Sequence, residues 1–249
     1  MNAIIYVAGR AMRLGKAAED RPKALLEFGG KTLLERHVRL LAQAGVPQLF
    51  VVTGHLREQF QGAIRALQSR YGIRLTEMFN ANFREGSALS MHASLPALES
   101  ASDGILLMDG DVLYDGRMLD RLMRSAHPSA LLIDRGYSTA DDDPVLVPMR
   151  NGKPFDFVKK WRGEADAIGE SIGFFKLQAS DLPLLIQETK ARVTGSGRTE
   201  SYDDILRVLV QAGRFRAEDV TGIPWTEIDF PEDIEYANSV ILPALQAEV

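Results

Sequence analysis

The chain has 249 residues, of which 45% are hydrophobic and 25% charged, and its formal net charge is −5. This profile excludes a disordered, collagen-like or coiled-coil chain and fits one large α/β domain over residues 1–249. There is no basic excess to hold a nucleic-acid backbone and no apolar run approaching a membrane span, so neither partner is expected.

Cysteine is absent, which excludes disulfides, thiol catalysis and Cys-ligated metal and suits a reducing, cytoplasmic setting. The N-terminus lacks the basic start and long apolar run of a signal peptide and begins at once as a strand over 3–7. A Gly-, Arg- and Lys-rich loop follows over 8–23. Leu33, Leu34, Val38, Leu41 and Ala42 recur at helical spacing, so 32–44 is a helix, with Thr32 and Glu35 as a capping box and Gly45 as its stop. Strand is expected over 49–52, helix over 56–70 and strand over 73–79. Then come helix over 87–99, strand over 105–108, helix over 116–125 and strand over 130–134. Asp141-Asp142-Asp143 reads as a solvated loop.

Beyond it the period changes. Residues 145–149 and 155–158 read as a hairpin around Asn151-Gly152, a pair that favours a type I′ turn. Strand over 171–177, helices over 180–192 and 201–212, and a last strand over 226–230 complete the pattern, and Pro231-Glu232-Asp233 opens a terminal helix. Repeated alternation of strand and helix predicts a Rossmann-like, mostly parallel (mixed) central sheet flanked by helices, with a small antiparallel lobe.

Several stretches bear chemistry. In Ala8-Gly9-Arg10-Ala11-Met12-Arg13, a glycine turn after the first strand lets backbone N–H groups approach a phosphate, and Arg13 and Lys23 add the charge a triphosphate needs. Asp109-Gly110-Asp111 ends a strongly apolar strand, where ligands bind in open α/β sheets. Asp229 ends the last strand in the same way, so carboxylates from two strand ends converge on one hard cation such as Mg²⁺. Gly86 and Ser87 open a helix, either as a plain N-cap or as free N–H groups beside a nucleoside. Glu170 and the Ser201-Tyr202-Asp203-Asp204 run offer carboxylates and a ring to an ammonium or to sugar hydroxyls, or simply cap a helix. His92, Trp161 and Trp225 are read as packing residues, and Lys159-Lys160 as a surface edge with one lysine available to an acceptor phosphate.

The strand followed by A-G-x-x-x-R, the Pro22-Lys23 pair, Asp109-Gly110-Asp111 and the segment Glu227-Ile228-Asp229-Phe230-Pro231-Glu232-Asp233 resemble the signature of the nucleotidyltransferase superfamily, with a sheet of the kind also found in GT-A glycosyltransferases. Val7 and Ala11 depart from its usual L-A-A-G-x-G-x-R loop, and Ala11 suits close phosphate approach if its φ is negative. The short chain and Val51-Val52-Thr53-Gly54-His55 resemble the small phosphocholine, inositol-1-phosphate and phosphonate cytidylyltransferases.

The resemblance implies Mg²⁺-dependent transfer of CMP from CTP to a small phosphorylated alcohol or phosphonate, with release of pyrophosphate. It gives Arg13 and Lys23 the catalytic roles. It gives Ala8, Gly9, Arg10, Ala11, Gly86, Ser87 and Asp109 to the nucleotide, and Asp109, Asp111 and Asp229 to the metal. Glu170, Tyr202 and Asp203 go to the acceptor. A sugar-1-phosphate nucleotidyltransferase using UTP or dTTP, an inactive nucleotide-binding regulator and a related glycosyltransferase remain as alternatives, and a homodimer is left open.

Overall fold

Ile4 and Ile5 are both fully buried, although neighbouring side chains of a strand point to opposite faces. The first strand, Asn2–Tyr6, therefore has to be covered on both sides. On one side Ala3 and Ile5 share a cluster with Leu34, Val38 and Leu41 of the helix Leu33–Gln43 and with Phe60, Ile64 and Leu67 of the helix Arg57–Tyr71. On the other side Ile4 joins Leu185 of the helix Leu182–Thr194 and Leu206 and Leu209 of the helix Tyr202–Gln211. The result is a three-layer α/β arrangement. The computed structural model describes residues 1–137 and 144–245. The expected Asp141-Asp142-Asp143 loop lies outside the described residues.

Among the described residues, nine strands form one mixed sheet. Its parallel run has the order Ile105–Asp109, Asn2–Tyr6, Gln48–Thr53, Arg74–Phe79. The chain steps outward twice on one side of the first strand and then returns to its other side. That reversal places a topological switch point between Tyr6 and Asp109, which are register partners, and ligands of open α/β sheets bind in the crevice such a switch opens. The strand Ala167–Leu177 runs antiparallel to Ile105–Asp109 and also pairs with Ala130–Asp134 and Leu146–Arg150. Asn151 and Gly152 have φ of 51° and 70°, so the expected hairpin turn has the positive dihedrals of a type I′ turn. No helix of the described residues is long and apolar enough to cross a membrane.

Some expectations shift. The helix expected over 87–99 is two short helices, Ala88–Ala93 and Leu95–Glu99, because Pro96 has no N–H to continue the ladder. The capping box of the helix Leu33–Gln43 is half formed. Thr32 accepts from the Glu35 N–H, but the Glu35 carboxylate is taken by Arg70 and Tyr71. The last strand is only Trp225–Glu227, and it pairs with Val112–Tyr114 outside the main sheet. It stops there because the Asp229 and Phe230 N–H groups donate to the Asp233 carboxylate, at 2.8 and 2.7 Å, and so cannot pair. The strand Arg216–Asp219, at the sheet margin beside Ala130–Asp134, has no run of apolar residues to announce it.

Candidate active site

Alternation in a short extended segment sets the centre of the site. Ile228 is fully buried, in a cluster with Leu14, Leu113, Ala237 and Ile241. Its neighbours Glu227 and Asp229 therefore project the other way, into the cleft. The pairing of Thr226 with Leu113 and of Glu227 with Val112, continued by the Ile228 N–H donating to the Asp111 carbonyl at 3.0 Å, brings the end of one strand against the start of the other. Asp111, Glu227 and Asp229 thereby each bring a carboxylate oxygen within 4.8 Å of the others. Leu14, 1% exposed in the same cluster, anchors the loop that carries Arg13. Pro22 begins a tight turn whose Ala24 and Leu25 are buried, which fixes Lys23 at its first position.

Two cations meet these acids. The Lys23 ammonium donates to Asp111 Oδ2 at 2.8 Å and to Asp229 Oδ1. The Arg13 guanidinium donates to Asp229 Oδ2 at 3.3 Å and lies over the Phe230 ring. Burial alone would lower the Lys23 pKa, but the carboxylates of Asp111 and Asp229 hold it above its ordinary value, so the amine stays protonated. Glu227 keeps surface open to water, yet its carboxyl sits down in the cleft. Lost hydration there, then the charges of Asp111 and Asp229, push its pKa well above the carboxylate range.

Asp109 lies outside this trio. Its carboxylate accepts from the Tyr202 hydroxyl, and the Tyr202 ring stacks on Tyr6 at 5.3 Å. Burial, then the nearby Asp111 charge, raises its pKa well above normal. Gly173 has φ +75° in the irregular stretch of its strand, and a Cβ there would lie 2.0 Å from Asp109 Oδ2. Only glycine lets the neighbouring strand pass so close.

A cavity of about 710 Å³ opens over these groups. It brings together the expected residues Arg13, Ser87, Asp109, Asp111, Glu170, Tyr202, Asp203 and Asp229. Ser87 serves less as a helix cap than as a joint: its Oγ accepts the Tyr202 N–H at 2.9 Å and meets the Ser201 hydroxyl at 3.1 Å. Gly86 is not part of the lining. A Cβ there would lie 2.7 Å from the backbone oxygens of Arg198 and Glu200, so its role is close packing of two loops. Ala8 is buried, with its carbonyl accepting the His55 N–H, and Gly9 and Arg10 are exposed on the loop. Ala11 has φ +52°, so the negative φ on which its close approach to phosphate depended is not met.

Residues not expected also line the cavity. Glu227 is one, and its spacing of two from Asp229 was a readable signal of a shared strand face. Trp225, read as packing, lines the cavity and donates its Nε1–H to Asp134 Oδ2 at 2.8 Å. Asp134, like Asp109, ends a strand, and it stands in register opposite Glu170. Tyr137 and Tyr236 line the cavity too, as does Lys159, one of the two lysines expected to be available to an acceptor phosphate.

Residues 3–212 match the profile of the MobA-like NTP transferase domain. The chain is 27% identical over 256 positions to the CMP-5'-(3-aminopropyl)phosphonate synthase of Streptomyces rubellomurinus, covering 96% of this chain and 38% of that protein. It is 35% identical over 168 positions to the choline-phosphate cytidylyltransferase of Streptococcus pneumoniae, covering 65% of this chain and 70% of that protein. The structure of the inositol-1-phosphate CTP transferase from T. maritima superposes with a TM-score of 0.78 at 20% identity, over 100% of this chain and 97% of that one, a likeness of fold. Several of the curated relatives are longer proteins, of which this chain spans 38 to 52%.

Proposed function

Since the chain belongs to the family of MobA-like NTP transferase domains, we propose that this nucleotidyltransferase carries CMP from CTP to a short phosphorylated or phosphonate acceptor and releases pyrophosphate. The observation that carries the reading is the meeting of Lys23 with Asp111 and Asp229 at the mouth of the switch point, since it gathers cations for phosphate and carboxylates for a metal in one place. The activities by which these relatives are named favour cytidine as the base.

The carboxylates of Asp111, Glu227 and Asp229 are hard oxygen donors and fit Mg²⁺. When bound, that ion supplies charge neutralisation between the two phosphate-bearing substrates. Arg13 neutralises the leaving phosphates, and Lys23 the charge developing on the α-phosphate. A phosphate or phosphonate acceptor is already anionic, so no general base is needed and catalysis is orientation plus electrostatics. Asp134, Glu170 and Asp203 line the same cavity as the Trp225 and Tyr137 rings, a lining suited to an ammonium group on the acceptor. The Trp225 Nε1–H and the Gly136 N–H fix the two Asp134 oxygens, at 2.8 and 2.7 Å, without neutralising the charge.

A pyrophosphate-release screen with Mg²⁺ tests the reading. It crosses CTP, UTP and dTTP with 2-aminoethylphosphonate, phosphocholine, inositol-1-phosphate and glucose-1-phosphate. Release with CTP and an amine-bearing acceptor is expected. Lys23→Ala is expected to lower kcat by about two to three orders of magnitude, the scale of one lost transition-state donor. Release with UTP or dTTP and glucose-1-phosphate would move the chain to the sugar-nucleotide enzymes, and none at all would leave a nucleotide-binding regulator or an acceptor outside this panel.

A further inference from the structure

Asp229 holds a cation on each oxygen: Arg13 on Oδ2 at 3.3 Å and Lys23 on Oδ1. Lys23 reaches on to Asp111 Oδ2 at 2.8 Å, so one ammonium spans two of the three carboxylates that suit a divalent ion. Its side chain is 17% exposed and fixed by the buried turn beneath it, so this is no loose surface pair. An ammonium seated between Asp111 and Asp229 takes up the space and offsets the negative charge that a divalent cation would use there. With two of its three N–H groups spent on those acids, the ammonium has only one left for a nucleotide phosphate.

We propose that Arg13 and Lys23 form a latch on the metal carboxylates which nucleotide releases, so that cation and nucleotide binding are positively coupled. The triphosphate draws both cations off Asp229 and Asp111, and the freed carboxylates then accept the divalent ion. The exchange is neutral in outline: each positive group leaves a carboxylate for a phosphate, and the incoming cation replaces the lost positive charge. The protein by itself thus binds the bare cation weakly, and by linkage each ligand strengthens the other by the same factor. The inference rests on the metal role of Asp111 and Asp229 proposed above.

The test is a Mn²⁺ titration of the whole chain followed by water-proton relaxation, with and without CTP and with no acceptor, for the wild type and Lys23→Met. Lys23→Gln replaces the Met variant if thermal unfolding shows that the latter is not folded. In the wild type, CTP is expected to tighten Mn²⁺ binding by about tenfold or more. Without CTP the variant is expected to bind Mn²⁺ about tenfold tighter than the wild type, and its gain from CTP should shrink by the same factor. Equal or weaker Mn²⁺ binding by the CTP-free variant, with the wild-type gain intact, overturns the latch and leaves the metal role standing. A variant that is tighter by one constant factor with and without CTP also overturns it, because Lys23 is then only a nearby charge. Mn²⁺ bound by neither protein even with CTP overturns the metal role and the latch together.

Discussion

Ala11 stands where the superfamily's loop has its second glycine, at φ +52° and ψ 38°. A Cβ in the left-handed region costs roughly 1 kcal/mol, a cost glycine does not carry. The position is held there because the Leu14 N–H donates to the Ala11 carbonyl at 3.1 Å, closing a turn on the buried Leu14 side chain. Ala11→Gly is therefore expected to raise stability by up to about 1 kcal/mol, or a Tm gain of about 2–4 °C for a chain of this size. Ala11→Val, β-branched, is expected to lower Tm by at least as much. Thermal unfolding of the two variants decides it: a valine variant as stable as the wild type contradicts the strain. At this scale the sequence names the residue but not its dihedral. The loop's departure from the glycine pattern was visible, and only the closed turn shows which side of φ = 0 the chain takes.

Between elements, the joint formed by Ser87 and Ser201 carries the most consequence. Ser201 caps the helix Tyr202–Gln211 in a full capping box with Asp204, and its hydroxyl also meets Ser87 Oγ. The cap was legible, since Ser followed three residues later by an acid is a helix-start signature. The partner was not, because Ser87 lies more than a hundred residues away in sequence. Ser201→Ala removes the cap and loosens the neighbour that positions the Tyr202 N–H. It is expected to cost about 1 kcal/mol of stability. The displaced Tyr202 should also raise the acceptor KM more than it lowers kcat. An unchanged KM beside the stability loss would reduce Ser201 to an ordinary cap. The same logic separates Asp109, Asp111 and Asp229, which strand ends announce, from the Trp225–Asp134 contact. That contact exists only because two strands far apart in sequence close on one cavity.

For the whole molecule, the alternation of buried strands and amphipathic helices made the layered fold legible, but not the strand order that opens its switch point. The polar margin strand and the early stop of the last strand escaped, because their causes are pairing and capping rather than periodicity. One titratable residue turned out to be buried: His37, read only as part of a helix, is 0% exposed between Tyr114 and Phe174, with ring centroids 5.1 and 5.9 Å away. Among the described residues neither ring nitrogen has a hydrogen-bond partner, and burial pulls its pKa down to about 3. The unfolded chain protonates this histidine near its ordinary value of about 6.5. Between those two values the unfolded state binds more protons than the native state, so stability falls as pH falls through that window. At about 1.4 kcal/mol per pH unit, the loss is roughly 2 kcal/mol by pH 5. Asp109 and Glu227, whose pKa values are raised, act in the opposite sense. They do so equally in a His37→Leu variant, so the comparison isolates the histidine. Urea unfolding at pH 7 and pH 5 is expected to show a wild-type loss greater than the variant's by about 2 kcal/mol. Parallel losses in the two proteins would mean that His37 finds a way to carry its proton inside the fold.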